Sequence, residues 1–147
     1  MNGSNSLPRG FRGAGIAAGI KSSGAEDLAL IVNDGPQLFG TAVFTSNQVV
    51  AAPVTWSRQV VKDHTIAAVL LNSGGANACT GTEGFADTHR SAEKVAEVLS
   101  VSASDTAICS TGLIGVRLPM DAMSGRAPRA SARHLRVASG RSSVPAS

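Results

Sequence analysis

The apolar run Ala67-Ala-Val-Leu-Leu71 passes without a break into Asn72-Ser73-Gly74-Gly75-Ala76-Asn77-Ala78-Cys79-Thr80-Gly81. A helical apolar pattern follows from Phe85. A buried strand, a loop of small polar residues and a helix in direct succession require a fold that mixes strands with helices. Such a loop concentrates backbone N–H groups and short side-chain donors in one place. Ala107-Ile108-Cys109-Ser110-Thr111-Gly112-Leu113-Ile114-Gly115 repeats the logic. Two strand ends that both finish in small donors predict one pocket built by both. It suits a developing negative charge, because donors fixed beforehand need not reorganise during a reaction.

With 147 residues, 43% of them hydrophobic, the chain can bury one real core. Aromatics make up only 3%, so Val, Leu, Ile and Ala must build it. The net charge of +3 is unevenly placed. Residues 1–121 hold eight Lys or Arg and all ten acids (8 − 10 = −2), and residues 122–147 hold five Arg and no acid. The folded part therefore carries no general basic surface of the kind nucleic-acid binding needs. Cys79 and Cys109 make no CxxC and no disulfide framework, and buried free thiols are expected. His64, His89 and His134 lack ligand spacing, so no metal site is expected. No apolar stretch spans a membrane, and residues 1–10 lack the apolar centre of a signal peptide. A cytoplasmic protein is expected.

Along the chain, Met1 to Gly10 reads as a flexible arm. Gly13-Ala-Gly15-Ile-Ala-Ala-Gly19 is spaced one residue too wide for a dinucleotide loop, and no apolar strand precedes it. A Gly/Ala-rich strand lying close to another backbone is expected instead. Leu28 to Val32 predicts a buried strand closed by a turn at Asn33-Asp34-Gly35-Pro36. Thr41 to Thr45 predicts a short strand, and Pro53 to Lys62 a helix with Pro in its first turn. Ala67 to Leu71 is a further buried strand. From Phe85 to Leu99 a helix is predicted, with Phe85, Ala92, Val95, Ala96 and Leu99 on the apolar face and Thr82 as N-cap. Thr106 to Cys109 predicts a strand that delivers Ser110-Thr111-Gly112, and Leu118-Pro-Met-Asp121 opens another helix. Residues 124–147 change character to Arg, Ser, Ala, Gly and Pro with no apolar period. A disordered basic tail is expected there, with a composition that a shifted reading frame in GC-rich DNA would produce.

Four co-linear blocks resemble one family. They are Gly10-Phe-Arg-Gly-Ala-Gly-Ile-Ala-Ala-Gly-Ile-Lys21, Asp27-Leu-Ala-Leu-Ile31, Asn72 to Gly81 as above, and Cys109-Ser-Thr-Gly-Leu-Ile-Gly115. Together they resemble the bifunctional ornithine acetyltransferase/N-acetylglutamate synthase family of arginine biosynthesis, actinobacterial members above all, from about Gly10 to about Met123. The resemblance implies an α+β fold in a layered α-β-β-α arrangement, of which only the N-terminal part is expected here. It also implies a precursor that cuts itself at an Ala–Thr bond. The freed Thr carries acetyl from N-acetylornithine to glutamate, and acetyl-CoA is a co-substrate of some members. An acyl-enzyme ester divides one hard exchange into two steps, each passing through an oxyanion. Thr111 and Gly112 carry over as the oxyanion hole, and Asn72, Asn77 and Thr80 as residues that line or brace the pocket. No bound cofactor is implied. The partner is the second chain of the same precursor, in a heterotetramer of two plus two.

The sequence departs from the family after about Asp121. It contains no Ala–Thr dipeptide and no Lys-Gly-x-Gly-Met segment. A truncated or frame-shifted chain is expected, holding donors without a nucleophile and inactive alone. Two other readings stay open from the residues themselves. One is a non-catalytic small-ligand or anion-binding domain using the 72–81 loop at a helix N-terminus. The other is a related self-processing amidase or aminopeptidase.

Overall fold

A computed structural model describes residues 7–125. The expectations for residues 1–6 and for the tail from 126 onward fall outside the described residues. Four strands form one sheet in sequence order: β1 (Phe11–Ile16), β2 (Leu28–Asn33), β3 (Ala68–Gly75) and β4 (Thr106–Leu113). β1–β2 and β2–β3 pair antiparallel, and β3–β4 pair parallel. The parallel pair needs a crossover, supplied by α2 (Gly81–Leu99) and a short 3-10 turn at Ala103–Asp105. The second helix, α1 (Ala52–Val60), precedes β3.

Alternation along the strands decides which face is core. Leu28, Leu30 and Val32 of β2, Ala68 and Leu70 of β3, and Ile108 of β4 are buried together with Ala92 and Val95 of α2. Leu118 and Met123, the latter in a helical stretch at 120–125, close this core at one end. The other face follows from the register. Gly13 stands opposite Ile31 and Gly15 opposite Ala29. Ile31 and Ala29 stand opposite Val69 and Leu71. Leu71 stands opposite Cys109, and Ser73 opposite Thr111. Among the described residues no helix covers this second face. One helical layer and one sheet are thus half of an α-β-β-α sandwich.

α1 also covers the outer edge of β4. Ser57 Oγ donates to the Ile108 carbonyl at 2.8 Å and accepts from the Ile108 N–H at 2.9 Å. Trp56 Nε1 donates to the Thr106 carbonyl at 2.9 Å. Without these bonds the edge would expose unpaired backbone.

Several expectations are met. β1 is the expected Gly/Ala-rich strand, but its glycines make room for side chains and not for another backbone: a Cβ on Gly13 would lie 2.7 Å from Leu7 Cδ1 and one on Gly15 2.9 Å from Glu26 Oε2. β2, α1 with Pro at its start, α2 and the helical stretch after Leu118 all form. Residues 7–10, within the stretch read as an arm, hold a turn, with Phe11 N–H bonded to the Pro8 carbonyl at 3.2 Å. Other expectations are corrected. Thr41 to Thr45 is not a strand, because no neighbouring backbone pairs with it; Val43 is 100% exposed. The N-cap of α2 is Thr80, not Thr82, and the helix begins at Gly81. Phe85 sits on the exposed rim of α2 against the edge of Trp56 rather than in the core. Cys79 and Cys109 are free but exposed, not buried.

Candidate functional site

β3 does not stop at Leu71. Asn72-Ser-Gly-Gly75 continues the strand, pairing with Ser110-Thr-Gly-Leu113 of β4 in register Asn72–Ser110, Ser73–Thr111, Gly74–Gly112 and Gly75–Leu113. The two donor-rich segments are therefore adjacent strands and not a loop beside a turn. The expected convergence holds, but by backbone pairing. Asn72 secures it. Its side chain is buried, Nδ2 donates to the Gly75 carbonyl at 2.9 Å, and Oδ1 accepts from Ser110 Oγ at 2.5 Å.

Two backbones stack here at the limit of contact, and the Ile20 side chain closes on them from outside. A Cβ on Gly112 (φ +132°) would lie 2.4 Å from the Gly74 carbonyl carbon. A Cβ on Gly74 (φ +110°) would lie 2.8 Å from Ile20 Cγ2. Both positions need glycine for conformation as well as for space. The outermost layer, residues 18–21, is held by Asp27. Its carboxylate accepts from Ala18 N–H at 2.6 Å, Ile20 N–H at 2.6 Å and Lys21 N–H at 2.8 Å. Its carbonyl accepts from Ser73 N–H at 2.8 Å. Burial alone would raise the Asp27 carboxyl, but the backbone donors outweigh it and hold it below the ordinary aspartate range.

A cleft of about 410 Å³ opens on the uncovered face beside this stack. Leu71, Asn72, Ser73, Cys109, Ser110 and Thr111 line it, with Glu26 and Asp27 at one side. Burial pushes the Cys109 thiol up, so it is no ready thiolate. Thr111 and Asn72 thus meet at the cleft, and Gly112 is the tight contact behind it.

Asn77 and Thr80 do not line the cleft. Asn77 is 0% exposed, with φ +49°. Its Nδ2 donates to the Gly84 carbonyl at 2.8 Å and to Thr88 Oγ1 at 2.9 Å, and its Oδ1 accepts from Thr80 Oγ1 at 2.7 Å. The pair braces the start of α2. The loop it anchors grips the end of β4, since Ala76 N–H bonds to the Leu113 carbonyl at 2.9 Å and Gly115 N–H to the Ala78 carbonyl at 2.8 Å.

Sequence reasoning missed two carboxylates. Asp27 carried a signal, an acid directly before a buried strand. Asp87 carried another, since it falls on the buried stripe of α2 with Gly84, Ser91 and Val95. Asp87 is 0% exposed and takes Arg117 Nε and Nη2, both at 2.9 Å, as well as Arg90. Arg117 also reaches Glu83 at 2.8 Å, tying the segment after β4 to α2. Among the described residues no His, Cys, Asp or Glu group is arranged to hold a metal ion, and no helix is long and apolar enough to cross a membrane.

Gly112→Ala is expected to open the β3–β4 end. The added Cβ meets backbone, which cannot rotate away, so a strain of about 1–3 kcal/mol is relieved by separating the strands. Amide hydrogen exchange at Ala76 and Gly115 should rise while Leu70 and Ile108 stay protected. Unchanged exchange at both would show that the stack tolerates the methyl.

A four-stranded mixed sheet backed by two helices, with paired glycine-containing strand ends on an open face, defines an α+β protein of layered type. Comparison with known proteins makes this specific. The model of the ArgJ family matches residues 12–142, and the chain belongs to that family. The arginine biosynthesis bifunctional protein ArgJ of Streptomyces coelicolor is 64% identical over 113 residues, covering 77% of this chain and 30% of that protein. Its Mycobacterium tuberculosis counterpart is 61% identical over 119 residues, 78% of this chain and 30% of that protein. The chain thus spans about 30% of the length of these curated relatives. The crystal structure of M. tuberculosis ornithine acetyltransferase in complex with ornithine superimposes with a TM-score of 0.83 at 56% identity, covering 85% of this chain and 67% of that one. The ArgJ structure from Bacillus halodurans gives a TM-score of 0.75 at 36% identity, covering 80% and 61%.

Proposed function

We propose that this chain is the N-terminal part of an acetyltransferase that moves acetyl from N-acetylornithine to glutamate. The observation that carries the reading is the register of Ser73-Gly74 on Thr111-Gly112, at the edge of an open cleft, in a chain of the ArgJ family. Thr111 and Gly112 supply the oxyanion hole. Thr111 offers both a hydroxyl and an N–H at the cleft, and Gly112, whose missing side chain lets β4 close on Gly74, offers its N–H from behind it. Donors held by a packed backbone stabilise charge as it develops without moving. Asn72 keeps Ser110, and through it Thr111, in place. Asn77 and Thr80 act one step further back, by bracing the loop that grips β4.

The nucleophilic Thr belongs to a second polypeptide part, which completes the site and lies over the open face. The intact assembly is a cytoplasmic heterotetramer of two plus two, with acetyl-CoA as a second donor to glutamate. The 147 residues alone carry no acyl-enzyme and transfer no acetyl, because removal of the nucleophile abolishes the covalent route.

The test is an assay with N-acetylornithine labelled in the acetyl group and with glutamate as acceptor. The purified chain should give no labelled N-acetylglutamate. Co-production with the C-terminal part of the Streptomyces relative should give turnover. In that complex Thr111→Ala should lower kcat by about 10²–10³, the usual cost of one oxyanion donor. Turnover by the chain alone would refute the division of labour. A fully active Thr111→Ala complex would remove Thr111 from the site.

A further inference from the structure

The loops that leave the two donor strands are both anchored to the first turns of α2. After β3, Asn77 and Thr80 seat against Gly84, where a Cβ would lie 2.5 Å from Asn77 Oδ1. Asn77 also bonds Thr88 Oγ1, one turn further along. After β4, Arg117 takes Asp87 through Nε and Nη2 and Glu83 through Nη1. Glu83, Gly84, Asp87 and Thr88 all lie in the N-terminal half of the helix.

The strap from Leu113 to Val116, directly after the donor pair Thr111-Gly112, has no packing of its own. Leu113, Ile114 and Val116 are exposed. Two backbone bonds join the strap to the neighbouring loop, from Ala76 N–H to the Leu113 carbonyl and from Gly115 N–H to the Ala78 carbonyl. The next firm side chains are Arg117 and Leu118. Leu118 is buried against Gly75, where a Cβ would lie 2.8 Å from Leu118 Cδ2. Apolar contact is non-directional. A guanidinium fork on a carboxylate fixes direction as well as distance. Asp87 offers a fixed base for it, being fully buried and held also by Arg90 from its own helix.

We propose that Arg117 is a positioning residue for acetyl transfer, its fork on Asp87 setting the strap after β4 and through it the donors of Thr111 and Gly112. The inference rests on the oxyanion reading of those two residues. Such donors work only where they are held at the place the charge develops. A displacement of about 1 Å caused by a remote change can cost about 100-fold in rate. Arg117 is separated from the cleft by the strap, so its loss falls on the transition state and not on ground-state binding. It is also the partner to change, because Arg90 stays on Asp87 and no buried charge is stranded.

Two measurements test this. In the full 147-residue chain, Arg117→Ala should raise amide hydrogen exchange at Ala76 and Gly115 and leave Leu70 and Ile108 protected. Arg12→Ala is the comparison. It removes the Arg12–Asp34 pair towards the other end of the sheet, where Arg12 stands opposite Val32, and should leave Ala76 and Gly115 unchanged. In the complex with the C-terminal part of the Streptomyces relative, Arg117→Ala should lower kcat about 10–100-fold, with KM for N-acetylornithine and for glutamate unchanged. Arg117→Lys, which keeps the charge without the fork, should recover part of that rate. Arg117→Ala combined with Thr111→Ala should lose less than the product of the two single losses, because both act on one set of donors. Losses that multiply in full, a rise in KM with kcat unchanged, or unchanged exchange at Ala76 and Gly115 would overturn the inference. A full-rate Arg117→Ala beside a slow Thr111→Ala would overturn it and leave the oxyanion reading standing. A full-rate Thr111→Ala would remove that reading and the inference with it.

Discussion

Asp27→Ala should lower the folding free energy by about 4 kcal/mol, read as a drop in the urea midpoint. The carboxylate is 2% exposed and accepts three backbone N–H bonds, from Ala18, Ile20 and Lys21. Deleting it strands those donors, each at a cost of about 1–3 kcal/mol. Against a total of about 5–15 kcal/mol for a domain, that is a large fraction. The damage should be local first. Residues 18–21 press on Gly74, and Gly74 on Gly112, so freeing the outer layer frees the cleft. Trypsin should therefore cut after Lys21 sooner in the variant than in the parent chain. A variant with an unchanged midpoint and unchanged cutting would show that the loop holds its shape without the carboxylate.

Asp87→Ala should cost about 2–3 kcal/mol, measured in the same way. Hydrogen bonds to a charged group contribute about 1.5–3 kcal/mol each. The guanidinium groups left behind, on Arg117 and Arg90, remain roughly half exposed and regain water. That keeps the loss below the cost of a stranded buried charge. Arg117 should then release the segment after β4. The same carboxylate shapes the acid limb of stability. Burial by itself raises its pKa, but the bonds and charges of Arg117 and Arg90 win, and the net direction is downward. Asp34 is held down by its bond to Arg12, and Asp27 by backbone donors that outweigh its burial. A depressed folded-state value adds stability that is fully present above the unfolded aspartate value of about 3.9, and it is lost as pH falls through the folded value. Stability from these groups should therefore be level above about pH 5 and decline below about pH 4. In Asp87→Ala the decline should be shallower. An equally steep acid limb in the variant would remove Asp87 as a contributor.

Much of the fold was legible because local pattern and burial agree. The run Leu28-Ala-Leu-Ile-Val32 fits a strand buried on one face and half-covered on the other. α2 announces itself by Ala92 and Val95 at helical spacing, and α1 by Pro53 ahead of Trp56 and Val60. The approach of the two donor segments was also legible, since both follow apolar strands and both end in Gly.

What failed did so for reasons that local sequence does not carry. Thr41 to Thr45 has strand-forming residues, but a strand also needs a neighbour. Asn72-Ser-Gly-Gly75 reads as a loop by composition, yet Ser110-Thr-Gly-Leu113 lies alongside and completes its hydrogen bonds. Phe85 obeys the helical period, but α1 offers it only the edge of Trp56. Cys79 and Cys109 have the composition of core residues and stand at a helix start and on an uncovered sheet face.

By itself, the sequence determined the strand and helix segments, the family blocks and the convergence of Thr111-Gly112 with the 72–81 segment. Those depend on periodicity and on residue types that allow few alternatives. Only the tertiary structure decided that Asp27 is the clasp behind the cleft and that Asp87 receives Arg117 thirty residues away. It also decided that Asn77 and Thr80 brace a helix and do not line the cleft. A buried polar group is stable only with its partners, and those partners come from elements distant in the chain.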